Sequence, residues 1–255
     1  MLAALGAVHC GAGLVTAAFP REAYAPIAAK LTVTPLLPLP GNQQGTLHVA
    51  ALPGIREALK GKGCPGKNCL LLGCGLGLNG DTAAITHALL RECEAPLVLD
   101  ADGINAAAMH INCIKEYPGQ SLVLTPHPGE MARLTGLPVE EIQANRAEIA
   151  RQFAEEYNCV LVLKGAGTVV AAPGREPHTC PLPPNTGLAK GGSGDLLAGM
   201  LASLAAQGLP GCDAAVCAVY LHGLAAERAA AKYSQRGMTA LDCIDELKGL
   251  LAQYE

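Results

Sequence analysis

Short apolar runs alternate along this chain with longer stretches in which apolar residues recur every three or four positions. Leu14–Phe19, Cys69–Leu72, Pro96–Leu99, Ser121–Thr125 and Cys159–Leu163 each end at a Gly, a Pro or a polar residue, the pattern of buried strands. Between them, Thr82–Cys93, Ile104–Lys115 and Glu140–Tyr157 carry the helical period, and Asp195–Gln207 and Asp213–Lys232 follow as two more helices. Thr168–Ala172 and His178–Cys180 are expected to close the order as an antiparallel pair. Pro35–Pro40 and Lys60–Lys67 are expected to be surface loops. Alternation of this kind predicts an α/β fold, a mostly parallel sheet with helices on both faces. The rhythm resumes after each loop and no internal repeat occurs, so residues 1–255 are expected to form one domain.

Composition sharpens this picture in three ways. Half of the residues are apolar, yet there are only six Tyr, two Phe and no Trp, so the interior must rest on Leu, Val, Ile and Ala, which suits close packing of helix on sheet. A net charge of −4 without a long basic run argues against a nucleic-acid partner. The eleven cysteines contain no C-x-x-C pair, and Cys64, Cys69 and Cys74 match no zinc spacing. Cys69, Cys93, Cys159 and Cys217 lie in apolar runs and read as reduced core thiols of a cytoplasmic protein. The uncharged first twenty residues lack a basic leader region and are broken by His9 and glycines, and no stretch reaches transmembrane length.

Ligands of open parallel sheets bind beyond the C-terminal strand ends, and here those positions hold the unusual residues. Gly73–Gly77 follows Leu72, Asp100 and Asp102 follow Leu99, Thr125–Glu130 follows Leu124, and Lys164–Thr168 follows Leu163. The stretch Gly191-Gly192-Ser193-Gly194-Asp195 leads into a helical run. Its glycines admit a ligand against the backbone, and the N–H groups of a helix start favour a phosphate. Asp195 is then either the N-cap of that helix or a base beside a transferring phosphoryl group. Gly73–Gly77 lacks the full dinucleotide spacing, leaving a tight turn in which Gly75 makes room for a substrate. Asp100 and Asp102 are either a carboxylate pair or a helix cap and a loop anchor. His127, held between two prolines, suits a ligand contact. Glu130 suits a first helical turn or a magnesium ion held through water. Lys164 suits a cation against phosphate oxygens. His222 and Glu227, with no partner in view, read as structural.

Together these motifs resemble the ADP-dependent NAD(P)H-hydrate dehydratases of the ribokinase-like superfamily. The resemblance spans Gly11–Val15, Gly73–Gly77, Val98–Asp102, Thr125–Glu130, Lys164–Thr168, Gly191–Asp195, Ala206–Gly208 and Tyr220–Gly223. It implies a ribokinase-like enzyme that uses ADP and Mg²⁺ to dehydrate (6S)-NADHX and NADPHX, releasing AMP and phosphate. It implies contacts from Gly75, His127 and Asp195 to the nicotinamide hydrate. Lys164, Gly165, Ala166, Gly167, Thr168 and Gly194 would contact the nucleotide, with the Gly192, Ser193 and Gly194 backbone N–H groups holding developing charge. Asp195 would be the catalytic base. It further implies a homo-oligomer and an epimerase acting on the same substrate. Relatives of this kind place a strand and a glycine-rich turn ahead of the first helix, whereas Met1–Leu5 is already expected within that helix. A vitamin-alcohol kinase of the same fold, or a nucleotide-binding protein without catalysis, are the alternatives.

Overall fold

The computed structural model describes residues 1–60 and 68–253, so the expected loop Lys60–Lys67 lies outside the described residues beyond Lys60. The strands are β1 (Ala17–Pro20), β2 (Leu36–Leu39), β3 (Leu70–Leu72), β4 (Leu97–Leu99), β5 (Leu122–Leu124), β6 (Val160–Leu163), β7 (Val169–Ala171) and β8 (His178–Thr179). Six of them form one sheet in the order β3-β4-β5-β6-β7-β8. It is parallel from β3 to β6 and antiparallel through β7 and β8, as the sequence pattern predicts. The architecture is α/β, with helices packed on the sheet.

The alternation of side chains along a strand divides the interior by size. Leu97, Leu99, Leu122, Leu124, Leu161 and Leu163 enter one core cluster, with Ile85, Leu89, Met131 and Phe153. Val98, Val123, Val160 and Val162 enter a second, with Leu197, Met200, Leu201, Ala215, Ala218 and Ala226 from two Ala-rich helices. Those helices are Ser193–Ala206 and Gly211–Gly237, the latter interrupted at Ser234 (φ 63°, ψ 159°). The helix Leu2–His9 lies on the first of them through small residues. A Cβ on Gly6 would stand 2.7 Å from the Leu196 carbonyl oxygen, and one on Gly199 would overlap the Ala3 carbonyl oxygen.

Several expectations need correction. Pro35–Pro40 is not a loop: it contains β2, which pairs in parallel with β1 in a separate two-stranded sheet. Leu14 is 73 % exposed and precedes β1, so the buried strand expected from Leu14 begins only at Ala17. Cys69, Leu70 and Leu71 are half-buried because β3 is the end strand of its sheet. Cys217 is exposed, unlike the buried thiols of Cys93 and Cys159. The expected helix Glu140–Tyr157 is two helices, Val139–Ala144 and Arg146–Tyr157. They part at Asn145, which takes non-helical angles and turns its side chain back to the Glu141 carbonyl. Ile104–Lys115 is likewise a helix, Ala101–Ala108, followed by a 3-10 segment, Ile111–Glu116. The helices Leu52–Leu59 and Ala240–Leu251 have no counterpart in the expected elements. Leu2–Leu5 lies within the helix Leu2–His9, as expected, and β1 and β3 belong to different sheets. No helix among the described residues is long and apolar enough to cross a membrane.

Candidate active site

Because β3 to β6 run in parallel, the residues after them meet at one edge. The ladder carries on past the strands: the Asp100 N–H donates to the Leu72 carbonyl, Thr125 N–H to Leu99, and Lys164 N–H to Pro126. The Gly73–Gly77 turn packs against the next strand end so closely that a Cβ on Gly73, at φ 128°, would overlap the Asp100 carbonyl. Asp102 holds this turn by accepting the Gly77 N–H at 2.9 Å. Around Gly75 a Cβ would meet nothing within 4 Å, so the turn has open space where a substrate is expected.

Asp100 is the hub of the edge. Only 1 % exposed, its carboxylate accepts from Thr125 Oγ1 at 2.7 Å, Lys164 Nζ at 2.6 Å and Cys74 Sγ at 3.5 Å. It stands at the N-cap position of Ala101–Ala108 without capping it, so its carboxylate is free for this network. A buried carboxylate is tolerated only when paired, and Lys164 supplies the charge. Ala101, beside it, sits at φ 46°, a strained backbone of the kind found at functional sites. Lys164 Nζ also lies 3.9 Å from Glu130 Oε2.

Asp195 is not the N-cap. That position belongs to Gly192 (φ 92°), and Asp195 lies in the first turn of Ser193–Ala206 with no side-chain cap formed. Its carboxylate, that of Asp100 and the Cys74 thiol all have ligand atoms within 4.8 Å of one another. Burial first, and the Asp100 charge second, push the Asp195 carboxyl above the usual range, while the Cys74 thiol and Lys164 act in the opposite direction. The Cys74 thiol is itself driven far up by burial and by both carboxylates, which keeps its proton in place as a donor.

Lys164, Gly165, Ala166, Gly167, Thr168, Ser193 and Gly194 line one cavity of about 300 Å³, and Gly192 stands outside its wall. The Ser193 N–H already donates to the Lys190 carbonyl, so it is the first-turn N–H groups of Gly194 and Asp195 that the helix leaves unpaired. A Cβ on Gly194 would stand 3.3 Å from Lys164 Nζ, so the lysine and the helix start face each other. Arg146 braces the opposite loop, donating to the Leu163 carbonyl at 2.7 Å and the Gly167 carbonyl at 3.4 Å.

His127 caps a helix. Its Nδ1 accepts the N–H groups of Gly129 and Glu130, and Glu130 Oε2 accepts the His127 N–H at 2.8 Å. Its other ring nitrogen lies 3.4 Å from Glu130 Oε1, and half of the side chain remains exposed. Glu130 is thus buried and committed to its own cap, which leaves it poorly placed for a metal ion. Among the described residues, Cys74, Asp100 and Asp195 are the one group of three such side chains close enough to hold an ion. Magnesium prefers oxygen and keeps several waters. Asp100 Oδ1 already accepts from Thr125 and Lys164, which makes Asp195 the carboxylate that better fits it.

Sequence reasoning set Cys74 and Thr125 within strand-end motifs without giving either a role, and it overlooked Arg146 and the place of His222 in this site. His222, taken as structural, lines the cavity, whereas Glu227 does not. A hydroxyl, a thiol or a helix-start arginine carries no local signal of the neighbour it will meet across the fold.

The chain matches the family described as NAD(P)H-hydrate dehydratase over residues 1–248. It is 42 % identical over 254 residues to the bifunctional NAD(P)H-hydrate repair enzyme of Moorella thermoacetica, covering 100 % of this chain and 47 % of that protein. It therefore spans about half the length of the bifunctional relatives it matches. It is 34 % identical over 229 residues to the ADP-dependent (S)-NAD(P)H-hydrate dehydratase of Neisseria meningitidis, covering 89 % of this chain and 71 % of that protein. The ADP/ATP-dependent NAD(P)H-hydrate dehydratase of Bacillus subtilis, co-crystallised with ATP and Mg²⁺ and soaked with CoA, superposes with a TM-score of 0.80 at 29 % identity, over 100 % of this chain and 86 % of that one. A strand-end network around Asp100, a cavity beside an uncapped helix start, and these likenesses agree: the chain belongs to the NAD(P)H-hydrate dehydratase family.

Proposed function

We propose that this protein dehydrates (6S)-NADHX and NADPHX to NADH and NADPH at the expense of ADP, releasing AMP and phosphate. The observation that carries the reading is the placement of Asp195. It is a half-buried carboxylate in an uncapped first helical turn, beside Asp100 and Cys74 and next to the cavity lined by Lys164–Thr168 and Gly194. The terminal phosphate of ADP would lie between the free N–H groups of that turn and Lys164 Nζ, where both stabilise anionic oxygens. The nicotinamide hydrate would enter over Gly75 and His127.

Hydroxide is a poor leaving group and phosphate a good one. Asp195 takes the proton of the ring hydroxyl as that oxygen attacks the terminal phosphorus of ADP, and the bond to the AMP oxygen breaks. The ring nitrogen lone pair then expels phosphate to leave an iminium ion, and transfer of a proton from the adjacent ring carbon C5 to the departing phosphate or to water restores the reduced nicotinamide. Lys164 is held in place by Asp100, whose Oδ1 lies 2.6 Å from its Nζ. A magnesium ion held by Asp195, water and the phosphate oxygens would neutralise charge on the transferring group.

The test is a direct assay of purified protein with hydrated NADH, Mg²⁺ and ADP, following the return of reduced-nicotinamide absorbance. Asp195→Asn is expected to lower turnover by roughly 10²–10⁴-fold. A loss under about tenfold would remove Asp195 from the role of base.

A further inference from the structure

Two buried polar atoms in the wall of the nucleotide cavity have no partner in the protein. Ser193 Oγ and His222 Nε2 belong to residues 4 % and 6 % exposed, and neither atom meets a hydrogen-bond donor or acceptor. They come from different helices, Ser193 from the first turn of Ser193–Ala206 and His222 from the middle of Gly211–Gly237, yet both line the cavity. Among the described residues, the other unpartnered buried side-chain atoms, on Thr34, Ser121 and Arg146, are not in this wall. Buried polar groups in folded proteins are nearly always paired, and leaving one unpaired is destabilising. Two facing the same cavity from separate elements therefore call for an occupant with matching hydrogen-bonding groups.

The surroundings indicate which part of a nucleotide this is. Away from Lys164, where the phosphate is placed, Leu182, Pro183, Leu188, Leu197 and Val219 give the cavity an extended apolar surface, which suits a nucleoside. Burial, with the charge of Lys164 adding to it, holds the His222 imidazole at a pKa of about 4. It is neutral in ordinary solution, so it offers one N–H and one lone pair and no counter-charge.

We propose that His222 and Ser193 recognise the nucleoside portion of the adenine nucleotide through hydrogen bonds from Nε2 and Oγ, making them specificity-determining residues of the site. This rests on the reading that the cavity takes ADP. The two ideas separate in one experiment: calorimetric titration of ADP and of adenosine into wild type, His222→Leu, His222→Gln and Ser193→Ala, alongside melting temperatures without ligand.

The expected result is at least tenfold weaker ADP and adenosine binding by His222→Leu. Its ligand-free melting temperature should equal or exceed that of wild type, because an unpaired buried imidazole has been replaced by an apolar group. His222→Gln, which keeps a hydrogen-bonding head, should bind within a few-fold of wild type. Should His222→Leu fail to fold, Ser193→Ala, which removes a single oxygen, carries the same comparison. Unchanged affinity in the variants overturns the inference while leaving the cavity assigned to ADP. So does a loss seen with ADP but not with adenosine, since the contact would then be to phosphate. Failure of wild type to bind ADP overturns the reading of the cavity itself.

Discussion

Asp195 can accept a proton only while it is ionised, and both its burial and the charge of Asp100 oppose ionisation. Its carboxyl is therefore raised, and turnover is expected to fall as pH drops through that raised value and to level off above it. The Cys74 thiol is one of the groups working against this. Cys74→Ala should move the acid limb of the kcat/KM profile to higher pH, and Cys74→Ser should hold it near the wild-type position. Superimposable profiles for the alanine variant would show that the thiol plays no such part. His222 makes a second prediction at this scale, on stability. The unfolded chain binds its proton near pH 6.5 and the folded chain only near 4. The unfolded state thus holds more protons between these values, and stability, complete above the upper one, declines toward the lower by roughly 3 kcal/mol. Urea midpoints of wild type against His222→Leu at about pH 7 and about pH 4.5 check this, with the wild type losing more on acidification. Asp195 titrates in both proteins and cancels from the difference.

At the scale of elements, the site depends on where two helices are held. Gly6 and Gly199 let Leu2–His9 press onto the helix that carries Asp195. Ala for Gly inside a helix ordinarily stabilises, but a methyl on Gly199 would meet the Ala3 backbone. Gly199→Ala is accordingly expected to lose about 1–3 kcal/mol in chemical denaturation, with turnover falling as the helix shifts. A gain in stability would show that the two helices can part without cost. The loop Lys164–Thr168 has its own brace in Arg146. Removing that brace with Arg146→Ala should weaken ADP about tenfold by titration, the worth of one charge-assisted hydrogen bond. Arg146→Lys, with a charge but no planar fork, should recover only part of it.

For the whole molecule, the cavity joins parts that otherwise pack in separate layers. Its wall takes residues from the end of β6, from the start of Ser193–Ala206 and from Gly211–Gly237. A ligand there binds the folded chain and not the unfolded one. ADP at about a hundred times its dissociation constant should therefore add roughly 2.7 kcal/mol, a rise of roughly 5–10 °C in melting temperature. Asp195→Asn should keep most of that rise and Arg146→Ala should lose much of it, which separates a catalytic defect from a binding one.

The order of elements was legible in the sequence because each β-rich run is short, apolar and punctuated, and each helix carries its own period. The parallel β3 to β6, the antiparallel β7 and β8, and the gathering of Asp100, His127, Lys164 and Asp195 at one edge all follow from that alternation, since parallel strands end on the same side. Local pattern failed where a tertiary partner decided the outcome. Leu36–Leu39 is a strand because β1 lies beside it, although prolines flank it and one lies inside it. Gly192, not Asp195, occupies the N-cap position, because the backbone turns left-handed one step before Ser193. The sequence could name Asp195 and Lys164, whose charges narrow their uses. The thiol of Cys74, the brace of Arg146 and the unpaired nitrogen of His222 acquire meaning only from neighbours far away in the chain, and folding alone brings those neighbours within reach.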